Sequence, residues 1–337
     1  MVSIFTAPLA TPAQLSTSPS QLAGIPEALE QKLRLVACRL IQAAGILMEL
    51  PQPTISTAII LLQRYYLTTP LTTSPLLPTS LASLYLSSKL TEHPQKPRDL
   101  INIFKYLLSP ASPLHPPHLR KPTREPPEPS EEGGEKEAGK VKKKETNRNE
   151  YYVSEGDYTA LRSLLLSTEA RILRALGFNT TVNLPYTLAF NYLQSLGVLT
   201  HNSPPQPDPA ATGSPSNPRQ HQKLVSTTFA YLTDLLASPS QVYLTHHPHE
   251  LAVAGIYLAA RDHGVKLPER WWEVWDVERE TLGFLVVVMR GGTYLGNSKL
   301  WIIEEGGFEE GIDGGTGEVV PVGAESVLRE MERLRAL

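Results

Sequence analysis

The sequence has little of what several classes of protein need. It contains one cysteine, Cys38, among 337 residues, which excludes an internal disulfide and a zinc site rich in thiolates. A formal net charge of −3 gives no basis for binding nucleic acid by neutralising phosphates. The first residues lack a charged segment followed by an apolar run, and no apolar run is long enough to span a bilayer. We therefore expect a soluble intracellular protein without direct contact to membranes or nucleic acid.

Proline, by contrast, is abundant and unevenly placed, with 30 residues gathered in a few stretches. Such stretches, and those made of small and charged residues, cannot bury enough apolar surface to offset the entropy lost on ordering. We interpret residues 1–24 as a disordered tail, 109–150 as a disordered insertion and 199–220 as a linker. Residues 291–337 are a tail rich in glycine and glutamate.

The remaining sequence shows helical spacing of apolar residues and almost no strand signal. In Pro26–Glu49, apolar residues recur every three or four positions, the pattern of one buried helix face. Leu81–Lys89 and Leu251–Arg261 mix small residues with large ones, which is typical of a helix at the centre of a bundle. We predict an all-α protein of two bundles with about five helices each, at 25–198 and 221–290.

The sequence contains no pattern that indicates catalysis. It lacks a nucleophile elbow, a phosphate-binding loop and a dinucleotide fingerprint, so we expect no enzyme activity and no cofactor. His246, His247 and His249 lack helical spacing and a cysteine partner, which favours a solvated loop over a metal site. The tryptophans at 271–275 are interpreted as packing within the second bundle rather than as a peptide-binding platform. Lys140–Lys144 suits a nuclear-import signal or a charged linker equally well.

Several segments, in order along the chain, resemble the cyclins, and the L-type cyclins in particular. They are Ile41–Ala58 (IQAAGILMELPQPTISTA), Ser83–Phe104 (SLYLSSKLTEHPQKPRDLINIF), Ser167–Phe178 (STEARILRALGF), Glu250–Arg261 (ELAVAGIYLAAR) and the pair Trp271 and Trp272. The resemblance extends over most of 31–289, apart from the insertion and the linker. It implies two tandem five-helix cyclin folds, with the disordered insertion inside the first.

The resemblance also implies a function, that of the regulatory subunit of a cyclin-dependent protein kinase. We expect such a subunit to act in the nucleus, on transcription by RNA polymerase II and also on pre-mRNA processing. Polymerase or splicing factors would be reached indirectly, through the kinase. In the family, a lysine and a glutamate hold the kinase's C-helix in its active position, and these fall on Lys89 and Glu169. The other kinase-binding positions carried over are Leu86, Leu90, Glu92, Leu173 and Phe178.

The sequence also departs from the family pattern. Cyclins often pair an arginine on the first helix with an aspartate on the second; these positions fall on Arg39 and Gln63, so we expect that ion pair to be absent. Arg-Ser repeats are absent from the sequence, which favours transcription over splicing. A Q-, K- or T-type cyclin and a kinase-independent scaffold remain alternatives. The least favoured alternative is a DNA-binding factor of the TFIIB type. Such a factor would need a cysteine-rich zinc ribbon and a basic second repeat, whereas this sequence has one cysteine and a net charge of −3.

Overall fold

The computed structural model describes residues 9–109, 153–197 and 218–297, and every regular element in these ranges is helical. This confirms the predicted all-α class. Most of the predicted insertion, linker and C-terminal tail lies outside the described residues, as does Lys140–Lys144. The α-helices are α1 (Pro12–Ser16), α2 (Pro19–Leu22), α3 (Glu27–Leu47), α4 (Gln52–Tyr66), α5 (Leu76–Leu90), α6 (Pro97–Leu108), α7 (Glu155–Ala175), α8 (Tyr186–Ser195), α9 (Pro218–Leu236), α10 (Val242–Thr245), α11 (Pro248–Asp262) and α12 (Arg279–Asn297). A 3-10 helix spans Trp271–Trp275.

The first unit is built around α5, which packs against α3, α4, α6 and α7. Its serines and alanine are buried because small side chains let the neighbouring backbones approach closely. The buried hydroxyls are satisfied by backbone carbonyls: Ser83 Oγ donates to the carbonyl of Ala58 at 2.5 Å, and Ser87 Oγ donates to that of Thr54. The central position predicted for this helix is therefore the observed one.

The second unit repeats this plan around α11, which packs against α8, α9 and α12. Its buried residues are mainly alanine, glycine and aliphatic side chains. A Cβ added at Gly255 would lie 3.3 Å from the side chain of Leu232, closer than ordinary van der Waals contact. Glycine at this position lets α9 and α11 lie close together.

Helix α8 packs differently from the sequence interpretation, which assigned it to the first bundle. Its main contacts are with α9 and α11, and the ring of Tyr186 meets that of Phe229 edge-on at 5.7 Å. The contacts therefore group α8 with the second unit. Periodicity identifies the buried face of a helix but not the helices that cover it, which is why the sequence did not distinguish the two assignments.

The segment from residue 9 to 24 also differs from the disordered tail that the composition predicted. It forms α1 and α2, and each begins with a capping box that satisfies its first backbone amides. Ser18 Oγ donates to the buried carboxylate of Glu30 at 2.6 Å, and Ser20 Oγ accepts from the backbone amide of Leu71 at 3.1 Å. Helices this short carry no periodicity, so hydrogen bonds to the bundle hold the segment instead.

Candidate functional site

Lys89 and Glu169, which the sequence analysis singled out, lie together on the first unit. Lys89 is in the last turn of α5, Glu169 is on α7, and Lys89 Nζ forms an ion pair with Glu169 Oε1. The lysine is partly exposed, whereas the glutamate is buried. Lys89 Nζ also lies 4.2 Å from the centroid of the Tyr85 ring. The ring and the carboxylate together fix where the ammonium group sits.

The ion pair keeps hydrogen-bonding capacity for a partner. An ammonium group has three donors and a carboxylate has two acceptor oxygens, so neither group is exhausted by the other. Removing the lysine would leave a buried carboxylate without its countercharge, which is costly. The pair can therefore stay intact while it contacts the charged or polar end of another helix.

Apolar side chains that are exposed or half-buried follow the two members of the pair along the chain, at the ends of α5 and α7. Leu90 follows Lys89 at the end of α5 and is exposed, and Leu173, one turn after Glu169, is half-buried. Phe178 lies just beyond α7 and is 68% exposed. Its backbone is left-handed, with φ of 58°, which is uncommon for a residue other than glycine. When a partner protein covers such side chains, their apolar surface is removed from water, which is favourable.

Two other positions that the resemblance suggested, Leu86 and Glu92, differ in how far they are exposed. Leu86 is only 4% exposed, so its area is already used by the core and it offers almost none to a partner. Glu92 is exposed in the turn after α5, with a left-handed φ of 61°.

Leu166 belongs to this surface, although the sequence analysis did not select it. It is exposed and lies three residues before Glu169 and seven before Leu173, which puts all three on one stripe of α7. Leu165 beside it is fully buried. The run Leu164–Leu166 could have indicated an exposed leucine, because three consecutive leucines on a helix must point in different directions. We call Leu90, Leu166, Leu173 and Phe178, together with Lys89 and Glu169, the α5–α7 surface.

The first unit also contains a buried ion pair, at a place the resemblance did not indicate. Arg34 lines a small cavity together with Gln63. Its partner is Glu30 on the same helix, whose Oε1 accepts from Arg34 Nε at 3.0 Å and from Nη2 at 2.7 Å. Gln63 Nε2 instead donates to the carbonyl of Leu236 at 2.7 Å, which ties the first unit to the second.

The tryptophans pack within the second unit, as the sequence indicated, whereas the three histidines do not share a solvated loop. His249 lies in the first turn of α11, and the ring of His246 stacks on that of Phe284 with the centroids 5.5 Å apart. No group of three or more His, Cys, Asp or Glu residues in the described ranges is arranged to hold a metal ion. Trp271 is buried in the core of the second unit, and Trp275 stacks on Tyr192 of α8 with the ring centroids 4.3 Å apart. Among the helices described, none combines the length and apolarity needed to cross a membrane.

Comparison with curated proteins finds similarity to L-type cyclins. Cyclin-L2 of Mus musculus is 29% identical over 271 residues, Cyclin-L1 of Gallus gallus is 28% identical over 270, and Cyclin-L1 of Homo sapiens is 27% identical over 271. Each match includes 80% of this chain but only about two fifths of the relative: 42%, 40% and 41%, respectively. The resemblance to L-type cyclins is confirmed. A scan against protein-family models finds no match.

Solved structures show the same fold at low sequence identity. One is the crystal structure of the yeast RNA Pol II CTD kinase CTDK-1 complex, with a TM-score of 0.57 and 13% identity, covering 98% of this chain and 84% of that one. Another is the CAK complex of Chaetomium thermophilum bound to ATP-gamma-S, with a TM-score of 0.51 and 14% identity, covering 98% and 81%. The two-unit arrangement described above is the cyclin fold.

Proposed function

We propose that this chain, which has the cyclin fold and is similar to L-type cyclins, is the regulatory subunit of a cyclin-dependent protein kinase acting in RNA polymerase II transcription. The observation that carries the proposal is the α5–α7 surface, where the Lys89–Glu169 pair lies among exposed apolar side chains. The sequence relatives are cyclins, and the structural neighbours are kinase complexes, one of them a kinase of the polymerase C-terminal domain.

The surface suits the task of holding a kinase C-helix. A kinase becomes active when that helix turns inward and its glutamate pairs with the lysine that contacts ATP phosphates. Covering Phe178 alone would contribute about 1–2 kcal/mol from apolar area, and Leu90 and Leu166 would add to it. Lys89 and Glu169 would fix the register of the bound helix, since charged contacts give specificity more than affinity. Phosphoryl transfer itself would take place on the kinase.

The location and the downstream targets belong to the same proposal. Action on the polymerase, an effect on pre-mRNA processing and residence in the nucleus would all follow from the kinase partner. The matched region spans about two fifths of each L-type relative. The division into units is proposed between α7 and α8, because α8 packs with α9 and α11.

A kinase-independent scaffold is the second candidate function. The observation that favours it is the internal pairing of Lys89 with Glu169, since the buried carboxylate already has a countercharge in the free chain. In addition, cyclins usually have an acidic pair after the lysine, and the first position of that pair is Thr91 here. Its Oγ1 lies 2.8 Å from Thr54 Oγ1, so this hydroxyl is engaged within the unit. A scaffold would bind proteins but leave kinase activity unchanged.

The deciding experiment recovers the full chain from nuclear extract and assays the bound material on a polymerase C-terminal repeat peptide. The variant Lys89→Ala with Glu169→Ala should lower the recovered kinase activity at least about tenfold. The matched control, Arg270→Ala with Glu273→Ala, removes an exposed ion pair from the second unit and should leave it unchanged. Equal activity with both variants, or no kinase activity with the parent chain, would contradict the proposal.

A further inference from the structure

One face of α12 exposes apolar side chains that the proposed kinase contact does not use. Phe284 is 51% exposed, and Val287, one turn further along the helix, is 70% exposed. The opposite face of α12 belongs to the core of the second unit. The exposed residues Glu280, Gly283 and Arg290 complete the outer face. We call these five residues the α12 stripe.

The ring of Phe284 is held in place although it is exposed. It stacks on the ring of His246, with an angle of 21° between the two planes. Burial lowers the pKa of His246, so the imidazole beside the ring is neutral at pH 7. An aromatic side chain that is already held in one orientation loses little freedom when an occupant covers it, which favours binding.

The chain beyond α12 contains a segment with a matching apolar pattern. Helix α12 ends at Asn297, and the sequence continues to Leu337. In Glu325–Leu337 the apolar residues lie three or four positions apart, and charged residues fill most of the positions between them. The apolar residues with this spacing are Val327, Leu328, Met331 and Leu334. Such a pattern is typical of a helix that covers an apolar surface with one face.

The connection to α12 is long enough for this segment to reach the stripe. Because a helix rises about 1.5 Å per residue, Phe284 lies about 20 Å from the end of α12. Residues 298–324 are rich in glycine, and an unfolded chain of that length and composition spans about 30 Å on average. Leu300 and Trp301 are also apolar, but they follow α12 so closely that even extended chain reaches only about 15 Å. They therefore cannot cover Phe284.

The order of the charges favours an antiparallel arrangement of the segment and α12. Glu280 lies at the start of the stripe and Arg290 towards its end. The segment has Glu325 first and Arg333 and Arg335 near its end. Antiparallel helices bring opposite charges together at both ends, whereas a parallel arrangement would place Glu325 beside Glu280.

We propose that Glu325–Leu337 docks as an antiparallel helix on the α12 stripe of the same chain, with its apolar face over Phe284 and Val287. A helix this short is marginal alone in water, so the contact with α12 is what stabilises it. The connection raises the effective concentration of the segment at the stripe to the millimolar range, which favours docking within one chain over contact between copies. The site does not involve the α5–α7 surface, so no kinase is needed to form it.

The test places the photo-crosslinking residue para-benzoylphenylalanine at Val287 of the full chain, irradiates a dilute sample and identifies the product by mass spectrometry. We expect a crosslink within one chain, between position 287 and residues 325–337. The control has the same residue at Glu269, which is exposed in the turn before the 3-10 helix, and should not crosslink to this segment. A crosslink from position 287 to another part of the chain, a crosslink between two copies, or no crosslink would overturn the proposal.

Hydrogen exchange of the variant Phe284→Asp provides a second test. A charge in the stripe should release the segment, so the amides of residues 327–334 should exchange at least about tenfold faster than in the parent chain. The matched control Phe190→Asp changes a 45% exposed phenylalanine on α8 and should leave their exchange as in the parent. Equal exchange in the parent and in Phe284→Asp would refute docking on this stripe, and the crosslinking result decides the proposal even if this variant unfolds.

Discussion

The helix at the centre of the first unit, α5, is rich in serine, whereas its counterpart in the second unit, α11, is rich in alanine. Both allow close approach of neighbouring helices, but only the serines of α5 also donate hydrogen bonds to the backbone of α4. These bonds fix the position of α5 along its neighbour. The difference matters because α5 carries Lys89 and Leu90 at its end, where a small displacement would separate them from α7.

Cys38 provides the largest expected effect, and it concerns the first unit alone. Burial raises the pKa of the Cys38 thiol to about 11. The raised pKa leaves about a hundredfold less thiolate at pH 8 than a thiol with the ordinary pKa of 9.0 would have. We expect labelling by a thiol reagent to be slower than in denaturant by at least that factor. Labelling as fast as that of the unfolded chain would show that the first unit is open in solution.

The second prediction compares exposed phenylalanines on the two units. Phe178, part of the α5–α7 surface, is 68% exposed, and Phe284 on α12 is 51% exposed. Phe178→Asp should weaken kinase binding about thirtyfold or more, because an apolar contact is replaced by a charge that must be desolvated. Phe284→Asp is the matched control and should bind as the parent does. Affinity measured by titration with the recovered kinase checks both, and a larger loss with Phe284→Asp would move the binding surface to the second unit.

The third prediction breaks the hydrogen bonds that distinguish α5 from α11. Replacing both Ser83 and Ser87 by alanine should lower the free energy of unfolding by about 2 kcal/mol, since each hydroxyl contributes about 1 kcal/mol. Ser226→Ala removes an exposed hydroxyl from α9 and should change it by less than about 0.5 kcal/mol. Chemical denaturation measures both variants. Equal small changes would mean that the serines of α5 serve only as small residues.

The smallest effect is expected for Gly255→Ala in α11. The new Cβ would lie 3.3 Å from Leu232, a contact that costs stability unless this side chain shifts. Alanine in place of glycine within a helix gains about 1 kcal/mol, which offsets that cost. The free energy of unfolding should therefore change by less than about 1 kcal/mol. A loss above about 2 kcal/mol in a denaturation experiment would show that α9 and α11 cannot adjust.

The sequence predicted the helical class and both central helices, because small residues among large ones constrain the neighbours a helix can have. It did not predict the grouping of α8 or the order of residues 9–24, since these depend on contacts with distant parts of the chain. The resemblance located Lys89 and Glu169, but only the structure joined them in an ion pair. It also pointed to Leu86, which is buried in the free chain, and it gave no sign of the ion pair between Arg34 and Glu30.

The most direct test of the central claim is hydrogen exchange of the full chain, free and bound to the kinase recovered with it. If the chain binds its kinase through the α5–α7 surface, amide exchange should slow at the end of α5, in the turn at Glu92 and along 166–178. The helices of the second unit, α9, α11 and α12, should exchange as they do in the free chain. Slowing confined to those helices, with none around Lys89 and Glu169, would contradict the account.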